Sequence, residues 1–158
     1  MNEPGFEGGC TCGGIRYRMN RRPMIVHCCH CRWCQRESGA AFALNGMVEA
    51  TEVSLLKGKV EVIDIPSNSG RGQAVSRCPA CRVALWSNYA GAKDAVHFIR
   101  IGTLDNPNAF PPDLHIFTSS KQPWVNLDGG APAVAEYYKA ADYWSEKNMS
   151  RYRQALGK

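Results

Sequence analysis

The 158-residue sequence predicts one mainly β domain that ends in short helices. Short runs of apolar residues alternating with polar ones recur at regular spacing as far as residue 118, and turn-forming residues punctuate them. Helical spacing of apolar residues is confined to the tail. A chain of this length buries a core of ordinary size, so residues 1–158 are read as a single domain.

The first strand is expected at Gly14 to Met19, where Ile15, Tyr17 and Met19 alternate with Arg16 and Arg18 in the period of a half-buried strand. Met24 to Cys28 is a second, followed by Phe42 to Val48, Val53 to Leu56 and Val60 to Ile65, with turn signals at Asn45-Gly46 and Lys57-Gly58. Pro66 to Gly72 (PSNSGRG) has the composition of a loop. Further strands are expected at Gln73 to Arg77, Val83 to Tyr89 and Ala95 to Ile101. Gly102 to Asp113 holds three prolines and is excluded from regular structure, and Leu114 to Thr118 returns as a last strand. Ala133 to Ala140 and Tyr143 to Leu156 read as helices that dock through Tyr137, Tyr138 and Tyr152, with Asp142 as the cap of the second.

Composition excludes disorder, because 44% of the residues are hydrophobic and 21% charged. The net charge of +5 comes from basic residues scattered between Arg16 and Lys158, so it weakly favours small anionic ligands and does not identify a nucleic-acid partner. The opening MNEPGFEGGC has no pattern of a secretory leader, and no apolar run approaches the ~18 residues of a membrane span. The expected setting is therefore cytoplasmic, with no membrane partner. In a reducing compartment, eight cysteines suit metal binding or catalysis better than a disulfide framework.

These cysteines fall into three groups: Cys10-x-Cys12, the run HCCHCRWC containing Cys28, Cys29, Cys31 and Cys34, and Cys78-x-x-Cys81. Both spacings are those of zinc knuckles, since a strand turns residues two apart to one face and a tight turn does the same for C-x-x-C. Each pair supplies half a tetrahedron, to be completed by a pair distant in sequence. Spacing leaves the pairing open. Cys31 and Cys34 with Cys78 and Cys81 would form one four-thiolate site and leave Cys10 and Cys12 unused. Alternatively Cys10, Cys12, Cys78 and Cys81 close one site, and Cys29, Cys31 and Cys34 form a second with a vacancy, the division expected between structural and catalytic zinc.

The segments GGCTCGGIRY, CCHCRWCQRESGAAF, RCPACRVALW, GTLDNP and HIFTSSKQPW, in this order, resemble the glutathione-dependent formaldehyde-activating enzyme family, which also includes the centromere protein V domain. The resemblance spans about residues 7–125 and implies an Mss4-like, zinc-containing β fold. It further implies two zinc ions, a structural one on Cys10, Cys12, Cys78 and Cys81 and a catalytic one on Cys29, Cys31 and Cys34. Two departures stand out. Arg82 and Val83 occupy positions where the family usually has glycine and serine, which would cost on the order of 1 kcal/mol if the knuckle needs a positive φ. Cys28 is an addition to the pattern, read as a small buried strand residue.

Three thiolates on zinc carry a net charge of −1 and leave one coordination position for a thiol, which zinc deprotonates near neutral pH. The implied reaction is addition of a small thiol, glutathione or similar, to an aldehyde such as formaldehyde, with carbon-sulfur lysis as its reverse. Among cations suited to glutathione's carboxylates, Arg32 and Arg36 rank ahead of Arg16 and Arg18 because they flank the expected ligands. His30 is expected to project away from the metal of its neighbours, His115 to approach the site as a donor or to be a satisfied core residue, and His27 and His97 to be strand residues. No histidine is assigned a catalytic role, and Phe117 and Trp124 are read as core aromatics. The main rival is a zinc-stabilised binding module without chemistry. A thioredoxin-like redox site at either C-x-x-C lacks the βαβ setting it needs.

Overall fold

The alternating runs become ten strands in the computed structural model, which describes residues 4–158. In chain order these are β1 (Phe6–Gly9), β2 (Arg16–Met19), β3 (Ile25–Cys29), β4 (Ala43–Glu49), β5 (Val53–Lys57), β6 (Glu61–Ile65), β7 (Gln73–Arg77), β8 (Ala84–Tyr89), β9 (Val96–Arg100) and β10 (Leu114–Ile116). Two helices join them, α1 (Arg32–Ser38) directly after β3 and α2 (Glu146–Ala155) near the C-terminus. The expected mainly β class holds, and the sheets with their cysteine and histidine clusters fit an Mss4-like fold.

Strands β1, β2 and β5 form a three-stranded sheet, and the other seven form a second in the order β10-β3-β4-β9-β8-β7-β6. Every pairing is antiparallel except that of β10 with β3, where Leu114 faces His27 and Ile116 faces Cys29. The larger sheet is apolar on both faces. Tyr17 and Met19 of the small sheet, with Ile15 just before β2, pack with Val26, Val48, Trp86, Ile99 and Ile101 on one face. On the other, Ile25, Met47, Val96, Leu114 and Ile116 pack with Phe98 and with Trp144 and Tyr152 from the tail. A central strand covered on both sides reads as a nearly continuous apolar run, which is why Ile25–Cys29 is buried throughout.

Five expectations about elements are corrected. Strand β1, FEGG, was not foreseen, because two glycines hide its period. Asn45-Gly46 is not a turn but the middle of β4, where a side chain on Gly46 would come within 2.8 Å of Ile101 Cδ1 and 2.9 Å of Pro23 Cγ. Helix α1 was also missed: it spans seven residues, lacks an apolar period, and is capped by a sulfur, with Cys31 Sγ accepting from the Cys34 N–H at 3.3 Å. Ala133 to Ala140 is not helical. That segment runs extended beside β10, with Val134 N–H donating to His115 O at 2.9 Å and Thr118 N–H to Val134 O at 3.1 Å. It thereby satisfies backbone groups on the free edge of β10, which a helix there would leave unpaired. Asp142 lies in a short 3-10 turn, and the α2 cap is Ser145, whose Oγ accepts from Asn148 N–H at 3.2 Å.

Two polar anchors fasten this scaffold. Arg151 of α2 donates to both Glu49 oxygens, at 2.7 and 2.6 Å, and to the Arg22 carbonyl at 3.0 Å. Arg77 forms an ion pair with Glu37 of α1 and donates to the Arg82 carbonyl at 3.1 Å, tying α1 to the β7–β8 turn. In that turn Arg82 has φ +66°, so the positive φ considered from the sequence is present. Its N–H donates to Cys78 O at 3.0 Å, closing a knuckle around Cys78 and Cys81.

Two measurements check these anchors. Burial alone would raise the Glu49 carboxyl, but its hydrogen bonds from Arg151 outweigh this and hold it below its usual 4.5. Glu49→Gln should lower the urea unfolding free energy by about 3 kcal/mol at neutral pH, because it leaves Arg151 buried without a counter-charge. A depressed folded-state value means that the charge stabilises above the unfolded value, so the deficit of the variant should narrow as pH falls through and below the carboxylate range. At the knuckle, Arg82→Gly and Arg82→Ala both lose the exposed pair with Glu61, and only glycine relieves the backbone. The glycine variant should be more stable than the alanine variant by about 1 kcal/mol in the same assay.

Candidate functional site

The chain's sulfur atoms gather at separate places in the fold, and all eight cysteines are free. Cys10 and Cys12 follow β1, and the β7–β8 knuckle brings Cys78 and Cys81 against them, so that all four sulfurs lie within 4.8 Å of one another. Cys10 Sγ is 3.5 Å from Cys12 Sγ, which is 3.7 Å from Cys78 Sγ. Sulfurs around a tetrahedral zinc at about 2.3 Å would be about 3.8 Å apart. Main-chain donors converge on the group. The N–H of Ile15 reaches Cys10 Sγ at 3.2 Å, and those of Val83 and Cys12 lower the Cys81 thiol to about 6. Gly14 leaves room, since a side chain there would approach Cys12 Sγ to 3.3 Å.

A second group lies on one face of β3 and its continuation. Cys29 ends the strand, Cys31 caps α1, and Cys34 sits one turn later, all three buried with their sulfurs within 4.8 Å of one another. The sulfurs cannot all be charged without a counter-ion. Hydrogen bonds from Cys29 and Cys34 push the Cys31 thiol down to about 3, while the same contacts with Cys31 and Cys34 push Cys29 strongly up. Thiolates crowded together in this way suit a divalent cation with sulfur preference, and the donor set of both groups is compatible with zinc. The Cys31 peptide is held in place because His30 O accepts from Gln35 Nε2 at 2.7 Å and from Ser120 Oγ at 3.0 Å.

Strand alternation turns Cys28 and His30 to the opposite face, as foreseen for His30, where they meet His115. His30 Nε2 is 3.5 Å from Cys28 Sγ and 3.0 Å from His115 Nδ1. His30 Nδ1 is buried without a partner. Coordination through Nε2 would place a proton on Nδ1 and orphan it, whereas a hydrogen bond from Nε2–H to His115 leaves Nδ1 unprotonated, so this cluster is a hydrogen-bonded core pair beside a buried thiol. Cys28 is buried as expected, and burial raises its thiol to about 12. His27 meets the Tyr138 hydroxyl, and His97 meets Asn88.

The three-sulfur group opens into a cleft of about 450 Å³, large enough for a small organic ligand. Its walls carry Trp33, Met47, Phe98, Tyr137 and Tyr152, with the loop Ser67 to Arg71 and Gln73 on another side. Phe117, in the left-handed region at φ +55°, packs partly buried against the core and also lines the cleft. Trp124, 73% exposed, is not a core residue. Arg32 and Arg36 line a different groove with Trp124, while Arg16 and Arg18 are engaged with Glu7 and Asp105. The cation near the sulfurs is Arg100, which donates to Asn45 Oδ1 at 2.5 Å and Ser87 Oγ at 2.9 Å and whose charge acts on Cys34. Nothing local in the sequence marked Asn45, Arg71 or Gln73, which reach the cleft through sheet register and a loop, or Arg100, which stands behind Asn45.

No match was found among curated proteins. Among solved structures, a Rhodobacter sphaeroides protein is similar over 81% of this chain and 99% of its own, with 12% identity and a TM-score of 0.46. The profile of the glutathione-dependent formaldehyde-activating enzymes matches residues 5–120, a stretch that contains every cysteine described above. The chain belongs to the glutathione-dependent formaldehyde-activating enzyme family.

Proposed function

We propose that the protein is a zinc-dependent carbon-sulfur lyase and synthase of the S-(hydroxymethyl)glutathione synthase type, which adds glutathione or a similar small thiol to formaldehyde or another small aldehyde. The observation that carries this reading is the cleft: Cys29, Cys31 and Cys34 line it, whereas none of Cys10, Cys12, Cys78 and Cys81 does. In this reading the latter four hold a structural zinc, and the former three hold a catalytic one. Cys29, Cys31 and Cys34 would hold the ion, which when bound would supply Lewis acidity that lowers the pKa of an incoming thiol.

The chain's own residues do the rest. Trp33, Met47, Phe98 and Phe117 exclude water around the sulfurs, which strengthens every charge interaction there. Arg100, fixed by Asn45 and Ser87, offsets negative charge beside Cys34. Burial pushes the Tyr137 and Tyr152 hydroxyls up, so both stay protonated and available as donors to an aldehyde oxygen. The reaction balances without a further reactant: a carbon-sulfur bond forms, the carbonyl π pair moves to oxygen, and the thiol proton ends on that oxygen.

Metal analysis and an adduct assay on the purified chain test the reading together. Wild type should carry about two zinc ions and accelerate formation of the thiol-aldehyde adduct, followed by NMR. Cys31→Ser should retain about one zinc, keep a cooperative unfolding transition and fall to the uncatalysed rate. Full zinc occupancy in Cys31→Ser, or no acceleration by wild type with any small thiol, would refute it.

A further inference from the structure

Gln73, the first residue of β7 and the register partner of Tyr89, stands in the wall of the cleft. It lines the cleft and is only 6% exposed, yet its Oε1 is buried without any hydrogen-bond partner. Among the described residues, only His30 Nδ1 shares that condition, and an unprotonated ring nitrogen tolerates it in a way that a glutamine amide does not. An uncommitted primary amide in a substrate cleft is complementary to one chemical group above others. An extended residue of a peptide presents its own N–H and C=O along one edge, so the two pair through a reciprocal set of hydrogen bonds, and a half-turn of the glutamine's last torsion suits either orientation.

The neighbouring wall supplies a second element. The loop before β7 places Asn68 and Arg71 on the cleft, and Arg71 forms no ion pair among the described residues. Its Nη2 lies 3.5 Å from where a Cβ on Gly91 would stand, so the guanidinium lies against that glycine, which also lines the cleft. A guanidinium without a counter-charge, close to an amide without a partner, matches a peptide group followed by a carboxylate.

We infer that Gln73 and Arg71 form a subsite that reads the peptide portion of a cysteinyl-peptide thiol, Gln73 pairing with its amide and Arg71 with its carboxylate. The inference deepens the proposed function, on which it rests for the identity of the cleft as the substrate site. It makes Gln73 a specificity residue that leaves the reacting sulfur untouched, and it separates peptide thiols from simple thiols that carry no amide.

The test uses the zinc-loaded full chain and S-methylglutathione, which keeps the peptide and carboxylates while its thioether is a poor zinc ligand. Isothermal titration calorimetry should show saturable binding by wild type, weakened roughly tenfold or more in Gln73→Leu and by a similar factor in Arg71→Ala. Gln73→Leu should match or exceed wild type in ligand-free stability, because it replaces an unpartnered amide, and Gln73→Met repeats the test with a more adaptable side chain. In turnover, Gln73→Leu should raise KM for glutathione with kcat little changed and should leave rates with 2-mercaptoethanol as they were. Equal affinity of wild type and both Gln73 variants, or no saturable binding by wild type, overturns the subsite. Loss of catalysis with every thiol while S-methylglutathione still binds would instead overturn the proposed function and spare the subsite.

Discussion

The structure depends on the two-residue period of a single buried strand. From Ile25 through Cys29 and on to Cys31, successive side chains are dealt to opposite faces of the larger sheet, and neither face meets solvent. Ile25, His27, Cys29 and Cys31 go to the cleft side, and Val26, Cys28 and His30 to the other. A slip of one residue would exchange the sets, bringing a thiol and an imidazole into the cleft and turning two of its sulfurs to the opposite face beside His115. The register is held on both edges, by antiparallel pairing of Cys29 with Ala43 and by parallel pairing of Cys29 with Ile116.

That constraint explains which parts of the molecule could be read from the amino-acid order. Strand alternation and the C-x-C and C-x-x-C spacings are local, so β2, β3 and both sulfur groups were legible in Cys10 to Met19, in Met24 to Cys34 and in Cys78 to Cys81. The choice between two pairings of the cysteines was not local. It turns on which knuckle the β7–β8 turn faces, and the structure sets that turn against Cys10 and Cys12 rather than against Cys31 and Cys34. The helix expected at Ala133 to Ala140 fails for a related reason. Tyr137 and Tyr138 suggest one apolar face, but the segment is worth more as an extended partner for the exposed side of β10, where its backbone completes ladders that no side-chain pattern announces.

The cleft residues outside the cysteine motif were the least legible. Arg100 reaches the sulfurs because β9 pairs with β4, which sets Arg100 opposite Asn45. Asn45 looked like half of a turn because Gly46 follows it, although that glycine serves the close approach of Pro23 and Ile101. Arginines adjacent to the cysteines in sequence point elsewhere, since α1 carries Arg32 and Arg36 to its outer side. Proximity along the chain is a poor guide once a helix intervenes.

Phe117 shows how the tail is bound to the site. A bulky residue in the left-handed region costs about 1–2 kcal/mol, and such backbone persists where its surroundings over-determine it. Here the extended tail provides that determination: Phe117 N–H donates to Glu136 O at 3.0 Å, Thr118 N–H to Val134 O and Ser119 N–H to Ala135 O. The turn so held sends the Phe117 ring into the cleft and, three residues on, brings Ser120 to the carbonyl of His30. The strain is thus spent at a point where the chain must leave β10, line the cleft and reach the peptide preceding Cys31. Residues 133–136 lie beyond the part of the chain that matches the family profile, yet they hold this turn in place, so the cleft of this protein is completed by sequence that the family motif does not contain.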